Sequence, residues 1–322
     1  METENAYQSD SVYGMGTEII QQIEGSSEYS SSEIFEATYK RLREIESRLS
    51  FFLPDSTVSR LNKSGGKETA IDSDTETVLR QARIVSKASG GAFDITAAPL
   101  ISLWRKHRRA ESVPPLNSIK KAMQKIDYSS IEININSAKI KKGQMIDFGG
   151  IGKGYAADEI VKIYKKHGVR SAYINLGGNV LSLGKKRGGI EWSVGIQNPR
   201  APRGDCIGVI YLQDSSIVTS GDYERCYFVD GIRYHHIIDT KSGFPAENAL
   251  ISATVVNPSS MLADAVSTAA FILGLEKGLD LISSFNNTQG VFITKDKDVY
   301  VTKGLKGYFH ILDAQNYKFY YC

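Results

Sequence analysis

The stretch IEWSVGIQNPRAPRGDCIGVIYL, residues 190–212, decides the fold class. Its two ends, IEWSVGI (190–196) and GDCIGVIYL (204–212), alternate as antiparallel strands with one buried face do. Working outward, strands are expected near 171–175, 190–196, 206–212 and 226–238, and VFITKDKDVYVT (291–302) reads as a late hairpin. Helical patterns interrupt them. One runs from about 32 to 49 behind a serine cluster, with Phe35, Thr38, Leu42, Ile45 and Leu49 at three- and four-residue steps. A second fits 74–88, buries Val78, Leu79, Ala82 and Val85, and stops at Gly90-Gly91. Others fit 153–167 and 260–273, with a short one over GLDLISSF. A first strand is expected in SVYGMGTEIIQQIEG (11–25), a break at Pro54 in FFLPDSTVSRLN, and an exposed excursion over RKHRRAESVPPLNS (105–118). IEININSAKIKKGQMIDF (131–148) reads as a hairpin turning near Lys141–Gly143. Antiparallel stretches with helices between them predict an α+β fold, with antiparallel or mixed sheets and packed helices. No linker cuts the chain, so residues 1–322 are expected to form one compact unit, with a bilobed shape left open.

Composition excludes several classes. Thirty-nine basic against 36 acidic side chains give a net charge of +3, too little for a nucleic-acid partner. Cys206, Cys226 and Cys322 stand too far apart for a zinc motif or a disulfide framework. The polar N-terminus lacks the apolar core of a secretory signal, and no run is apolar enough to span a membrane. A cytoplasmic location is the expectation, although a chain trimmed of an export or lipid signal would look the same.

Glycines cluster where something must approach closely. In MIDFGGIGKGYAADE (145–159) a strand ending at Phe148 meets Gly149, Gly150, Gly152 and Gly154, and a helix follows, whose unpaired N–H groups and dipole suit a phosphate. The pattern is neither the dinucleotide fingerprint nor the P-loop, and close packing explains it equally well. NLGGNV (175–180) and SGGAFDIT (89–96) repeat the pairing of glycines with a polar side chain; a hairpin turn and an Asx turn at Asp94 account for them structurally. Asp264 and Thr268, in ADAVSTAAFILG, are one helical turn apart and can both offer oxygen to a hard cation such as Mg²⁺. Their alternative is a first-turn aspartate and a hydroxyl bonded to its own helix. RYHHIIDTKSG (233–243) sets His235 beside His236, either of which could be structural.

Taken in order, GMGTEI (14–19), LSFFLPDSTVSRLN (49–62), SGGAFDIT, IDFGGIGKGYAADE, NLGGNV, WSVGIQNP (192–199), TSGDYERCY (219–227), HHIIDTKSGFP (235–245) and ADAVSTAAFILG resemble the ApbE-type FAD:protein FMN transferases over about residues 14–275. The resemblance implies Mg²⁺-dependent transfer of FMN from FAD to a threonine or serine of an acceptor flavoprotein or FMN-binding domain, releasing AMP. It implies His236 as base, with His235 at a variable position. Asp264, Thr268 and the Gly152 carbonyl would hold the metal. FAD contacts would come from Met15, Phe52, Asp94, Gly149, Gly150, Lys153, Gly177, Gly178, Asn179, Thr219, Ser220, Gly221 and Asp222. Phe52 replaces a frequent tyrosine, losing a hydroxyl but keeping a ring. Lys241-Ser242 departs from the usual Pro-Arg-Thr-Gly ending. Rival readings are an FAD pyrophosphatase, a non-catalytic FAD-binding protein, and an interaction module that docks through RKHRR (105–109).

Overall fold

The computed structural model describes residues 7–26 and 28–322. Nine strands form the main sheet, in the spatial order Tyr7–Gly14, Thr17–Glu24, Ala172–Leu176, Asn179–Leu183, Ser216–Gly221, Leu250–Asn257, Gln289–Thr294, Asp298–Val301 and Lys318–Tyr321. Every neighbouring pair is antiparallel except the last, which is parallel. A second sheet sets Cys206–Leu212 between Phe309–Ile311 and Trp192–Gln197. The fold is therefore α+β with a mixed main sheet.

Strand alternation explains the layers. On adjacent strands Val218 and Val255 join the larger hydrophobic cluster, under the helices Ser31–Leu49, Ser73–Ala88, Gly152–Lys166 and Ser260–Leu273. Their chain neighbours Ile217 and Val256 point the other way, into the cluster shared with Val194, Ile207 and Ile210 of the smaller sheet. Helices thus cover one face and the small sheet covers the other. Leu100, Trp104, Ile119 and Ile238 make a third cluster. It ties the helices Ala98–Arg109 and Leu116–Met123 to the HHIIDTKSG segment, where Trp104 Nε1 donates to the Gly243 carbonyl at 2.9 Å.

Local chemistry starts these helices. Ser30 and Glu33 form a reciprocal capping box, and Asp72 caps the helix at Ser73. Three helices share a buried ionic knot. Arg41 grips both Asp74 oxygens at 2.8 and 2.7 Å and Glu159 at 2.6 Å, while Arg48 and the Tyr155 hydroxyl each reach Asp74 at 2.7 Å. Burial pushes the Asp74 pKa up, yet the bonds from Arg41, Tyr155 and Arg48 outweigh it and hold it down at about 2.

Several expectations need correction. The first strand is a hairpin, turned by Met15 and Gly16 at φ 52° and 76°. FFLPDSTVSRLN contains a short helix, Thr57–Asn62. The supposed excursion 105–118 is mostly helix: RKHRR continues the helix that buries Leu100 and Trp104, and the two prolines merely separate it from the next. The hairpin expected to turn at Lys141–Gly143 pairs Glu132–Asn134 with Ser137–Lys139 and turns earlier, at Ile135-Asn136. Residues 226–238 hold two short strands, Cys226–Val229 and Ile232–His235. No helix among the described residues is long and apolar enough to cross a membrane.

Candidate active site

A cavity of about 650 Å³ opens where the glycine turns, the main sheet's edge loops and the third cluster meet. That size suits a large organic ligand. Two helix starts shape its floor. Gly154 lets them touch: a Cβ there would lie 2.2 Å from the Ser260 carbonyl oxygen. Asp158 fastens the contact by accepting the backbone N–H groups of Ser260 and Met261 at 2.7 and 3.0 Å. In this arrangement Asp264 Oδ2 accepts the Gly154 N–H at 3.0 Å, across the two helices. Oδ1 takes no hydrogen bond among the described residues, and Lys153 Nζ stands 3.9 Å from it. Asp264 is nearly buried, and Thr268, one turn on, also lines the cavity. The Thr268 hydroxyl lies 3.3 Å from Ser220 Oγ, with only a long 3.4 Å bond to the Asp264 carbonyl. A Cβ on Gly150 would come within 3.5 Å of that hydroxyl, so the glycine turn, Asp264, Lys153 and Thr268 form one cluster.

The two histidines divide their roles. His235 is buried, with Nε2 3.1 Å from the Ala246 carbonyl and Nδ1 accepting the Ile237 N–H at 3.3 Å. Both ring nitrogens are spent internally. His236 instead lines the cavity, with its ring surface open into it. Surrounding protein shields that ring from bulk water, and Arg225, His235, Lys153 and Arg108 add positive potential; together they hold its pKa down to about 3. Asp239 does not orient the imidazole: its carboxylate accepts the Lys241 and Ser242 N–H groups at 2.9 and 3.2 Å and closes the turn.

Gly177 and Gly178 are left-handed, at φ 59° and 94°, and turn the hairpin from Leu176 to Asn179. A Cβ on Gly177 would fall 2.1 Å from Thr17 Oγ1, which brings the N-terminal hairpin to the cavity wall. Asn179 receives the Ser260 hydroxyl at 2.6 Å, leaving its Nδ2 without a partner among the described residues. Thr219 pairs with Thr254 at 2.8 Å, and Gly221 makes room for the Tyr223 ring. Asp94 closes its Asx turn on Thr96 and also accepts the Tyr128 N–H at 3.1 Å. Burial raises its pKa despite these bonds.

Asp94, Gly149, Gly150, Lys153, Gly177, Gly178, Asn179, Thr219, Ser220, Gly221, His236, Asp264 and Thr268 all line the one cavity. Four expected residues do not. Gly152 and Met15 pack behind the glycine turn, where a Gly152 Cβ would be 4.0 Å from Met15 Cε. Phe52 stands outside, 69% exposed, with the Arg105 guanidinium 4.7 Å over its ring; Arg105 itself reaches the wall. Asp222 turns its carboxylate to Arg200, which takes both oxygens at 2.7 Å. Sequence reasoning missed Arg105, Asp147, Arg225 and Thr240, all on the wall. Asp147 carried a signal, standing two residues before the glycines, where it accepts the Gly149 N–H at 2.8 Å.

A sequence model of the ApbE family matches residues 15–292, most of the chain. The chain belongs to the ApbE family. The match runs past residue 275, where the motif resemblance ended, into the strand Gln289–Thr294. Similar curated proteins include the FAD:protein FMN transferase of Treponema pallidum, 33% identical over 87% of this chain and 82% of its own. The protein of the same description from Klebsiella pneumoniae is 30% identical over 97% of both chains. Among solved structures, the ApbE protein of Thermotoga maritima superposes with a TM-score of 0.86 at 29% identity, covering 94% of this chain and 99% of its own. The ApbE fold accounts for both sheets and for the helix pair under the cavity.

Proposed function

We propose that this ApbE-family protein transfers the FMN half of FAD to a threonine or serine hydroxyl of an acceptor flavoprotein. The observation carrying this reading is the placement of an internally unbonded imidazole, His236, on the same wall as Lys153, Asp264 and Thr268. FAD's diphosphate would lie over the glycine turn, where the Lys153 ammonium offsets its charge. The acceptor oxygen attacks the FMN phosphorus, its proton passes to His236, the phosphorus–oxygen bond to AMP breaks, and AMP leaves. An alcohol is a weak nucleophile near neutrality, so removing its proton as the bond forms is worth roughly 10²- to 10⁴-fold. The depressed pKa keeps His236 neutral, with a ring lone pair available for that proton, and at the same time lowers its strength as a base.

The donors fit Mg²⁺. Asp264 Oδ1 has no hydrogen bond and Thr268 offers a hydroxyl beside it, both hard oxygen ligands. Among the described residues no cluster of three or more His, Cys, Asp or Glu side chains converges. One carboxylate therefore matches a cation that shares its coordination with substrate phosphate. When bound, Mg²⁺ would neutralise charge accumulating on the diphosphate. Asp264 and Thr268 would hold it; Gly152, whose carbonyl the family resemblance offers as a third ligand, packs behind the glycine turn, off the cavity wall.

The test incubates the protein with FAD, Mg²⁺ and a candidate acceptor domain, then weighs the acceptor by intact-mass spectrometry. A gain equal to FMN less one water, matched by AMP, is expected. AMP without a labelled acceptor would make the protein an FAD hydrolase; intact bound FAD without AMP would make it a carrier.

A further inference from the structure

We infer that the cationic mouth between the end of the Ala98–Arg109 helix and the 226–235 hairpin docks an acidic segment of the acceptor protein. This rests on the transferase reading and adds the chemistry of the partner. The helix ends in RKHRR, where Arg105 is 3.3 Å from Asp147. Among the described residues Lys106, Arg108, Arg109 and Arg225 have no carboxylate within 4.0 Å, although Glu111, Glu224 and Asp230 are exposed in the same two segments. The segments are strapped together. The Tyr227 hydroxyl donates to the Ser112 carbonyl at 3.0 Å, and Tyr234 lies between Tyr227 and Trp104 with ring centroids 5.6 Å away on each side. Arg225 reaches the cavity wall beside His236.

Arg108 is half-buried, and burial together with Arg225, Arg105 and Arg109 pushes its pKa down. Gathering like charges without counter-ions raises the energy of the free protein, and an anion arriving there relieves it. FAD is poorly placed to be that anion. Arg108 is not part of the cavity wall, and Lys153 with the glycine turn already faces the diphosphate. Arg225 shares the cavity wall with His236, so carboxylates flanking a target hydroxyl held at His236 would meet Arg225 and, next to it, Arg108. On the hairpin tip, Phe228 and Ile232 are 55% and 57% exposed and offer apolar contact at the rim.

The experiment uses three labelled peptides of equal length, each with one central threonine flanked by aspartates, asparagines or lysines. Fluorescence anisotropy measures their binding to the FAD-loaded protein with Mg²⁺. The aspartate peptide is expected to bind about tenfold tighter than the asparagine peptide at about 50 mM salt, with the gap closing at about 500 mM. Arg108→Gln should remove about fivefold of that advantage while leaving the Kd for FAD unchanged, and Arg225→Gln should also reduce it. Equal binding of all three peptides, or an Arg108→Gln protein that loses FAD instead of the aspartate peptide, would overturn the inference. Mass spectrometry of the same samples separates it from the transferase reading: selective binding without FMN addition supports docking and refutes transfer, and addition without selectivity does the reverse.

Discussion

Replacing Gly154 with alanine tests whether the junction of two helix starts sets the site's geometry. The new Cβ would lie 2.2 Å from the Ser260 carbonyl oxygen, 2.6 Å from its carbon and 2.7 Å from Met261 Cα. All three are backbone atoms, so no side-chain rotation relieves the overlap. Restoring ordinary contact near 3.4 Å moves the helices apart by about 1.2 Å, the difference between 3.4 and 2.2 Å. Overpacking of this kind costs about 3 kcal/mol, the upper part of the usual range. Alanine's better helix propensity returns about 1 kcal/mol. A net loss of about 2 kcal/mol remains, a fall in Tm of about 3 °C for a chain this size. The shift also breaks the 3.0 Å bond from the Gly154 N–H to Asp264 and moves that carboxylate relative to Lys153. Misplacement by an ångström can cost about 10²-fold in rate, so FMN transfer should drop by that order even at temperatures where the variant is folded. The measurements are a thermal melt and a single-turnover AMP-release assay. A variant with wild-type Tm and turnover would show that the helices do not meet as described.

Other predictions follow from the same geometry. His236→Ala should abolish FMN transfer yet retain FAD affinity by fluorescence titration; wild-type labelling would remove it from the chemistry. With its pKa down at about 3, His236 is already neutral at pH 6, so kcat/KM should show no acidic limb between about pH 5 and 7, whereas an unperturbed imidazole would give one near 6.5. Asp264→Asn removes the free Oδ1 charge and should shift the Mg²⁺ activation curve at least tenfold upward, an unchanged curve being the refuting result. His235 also has a lowered pKa, chiefly through burial. Below its unfolded value the denatured chain binds more protons, so stability is lost as pH falls from 6.5; His235→Phe should reduce the fall in urea midpoint between pH 7 and 5, leaving the share due to His236, and an unchanged fall would refute it. Arg41→Met leaves Asp74 to Arg48 and Tyr155 alone and should cost about 3 kcal/mol by urea unfolding, since it strands part of a buried charge.

What could be read beforehand followed from periodicity and capping. The helices Ser31–Leu49, Ser73–Ala88, Gly152–Lys166 and Ser260–Leu273 bury one stripe and begin at serine, aspartate or glycine signals, so their spans were legible to within a residue or two. Leu250–Asn257, central to the main sheet, escaped notice because all eight of its residues are buried and no alternation marks it. RKHRR looked like a solvated loop because four cations and a histidine in a row mask a helix whose inward face is Leu100 and Trp104. Within the site, the motif-borne glycines and the Asp264–Thr268 pair were visible. Arg105, Asp147 and Arg225 were not singled out, since what matters is their convergence across some 120 residues of chain, which no local pattern encodes. The pairing of Asp222 with Arg200 was hidden for the same reason, as the two are 22 residues apart in the chain.

The wall that runs from Thr17 to Ile272 has a consequence for biosynthesis. A nascent chain halted after Gly221 can zip its first hairpin to residues 172–183 and add the strand that follows. It still lacks the Leu250–Asn257 strand, the second helix start and Asp264. Competence therefore arrives late and all at once, when a segment made near the end of translation threads beside one made at the beginning. Proteolytic or genetic division of the polypeptide before residue 268 should yield pieces that each keep some secondary structure and none of the chemistry, and recovery should require both pieces to fold together.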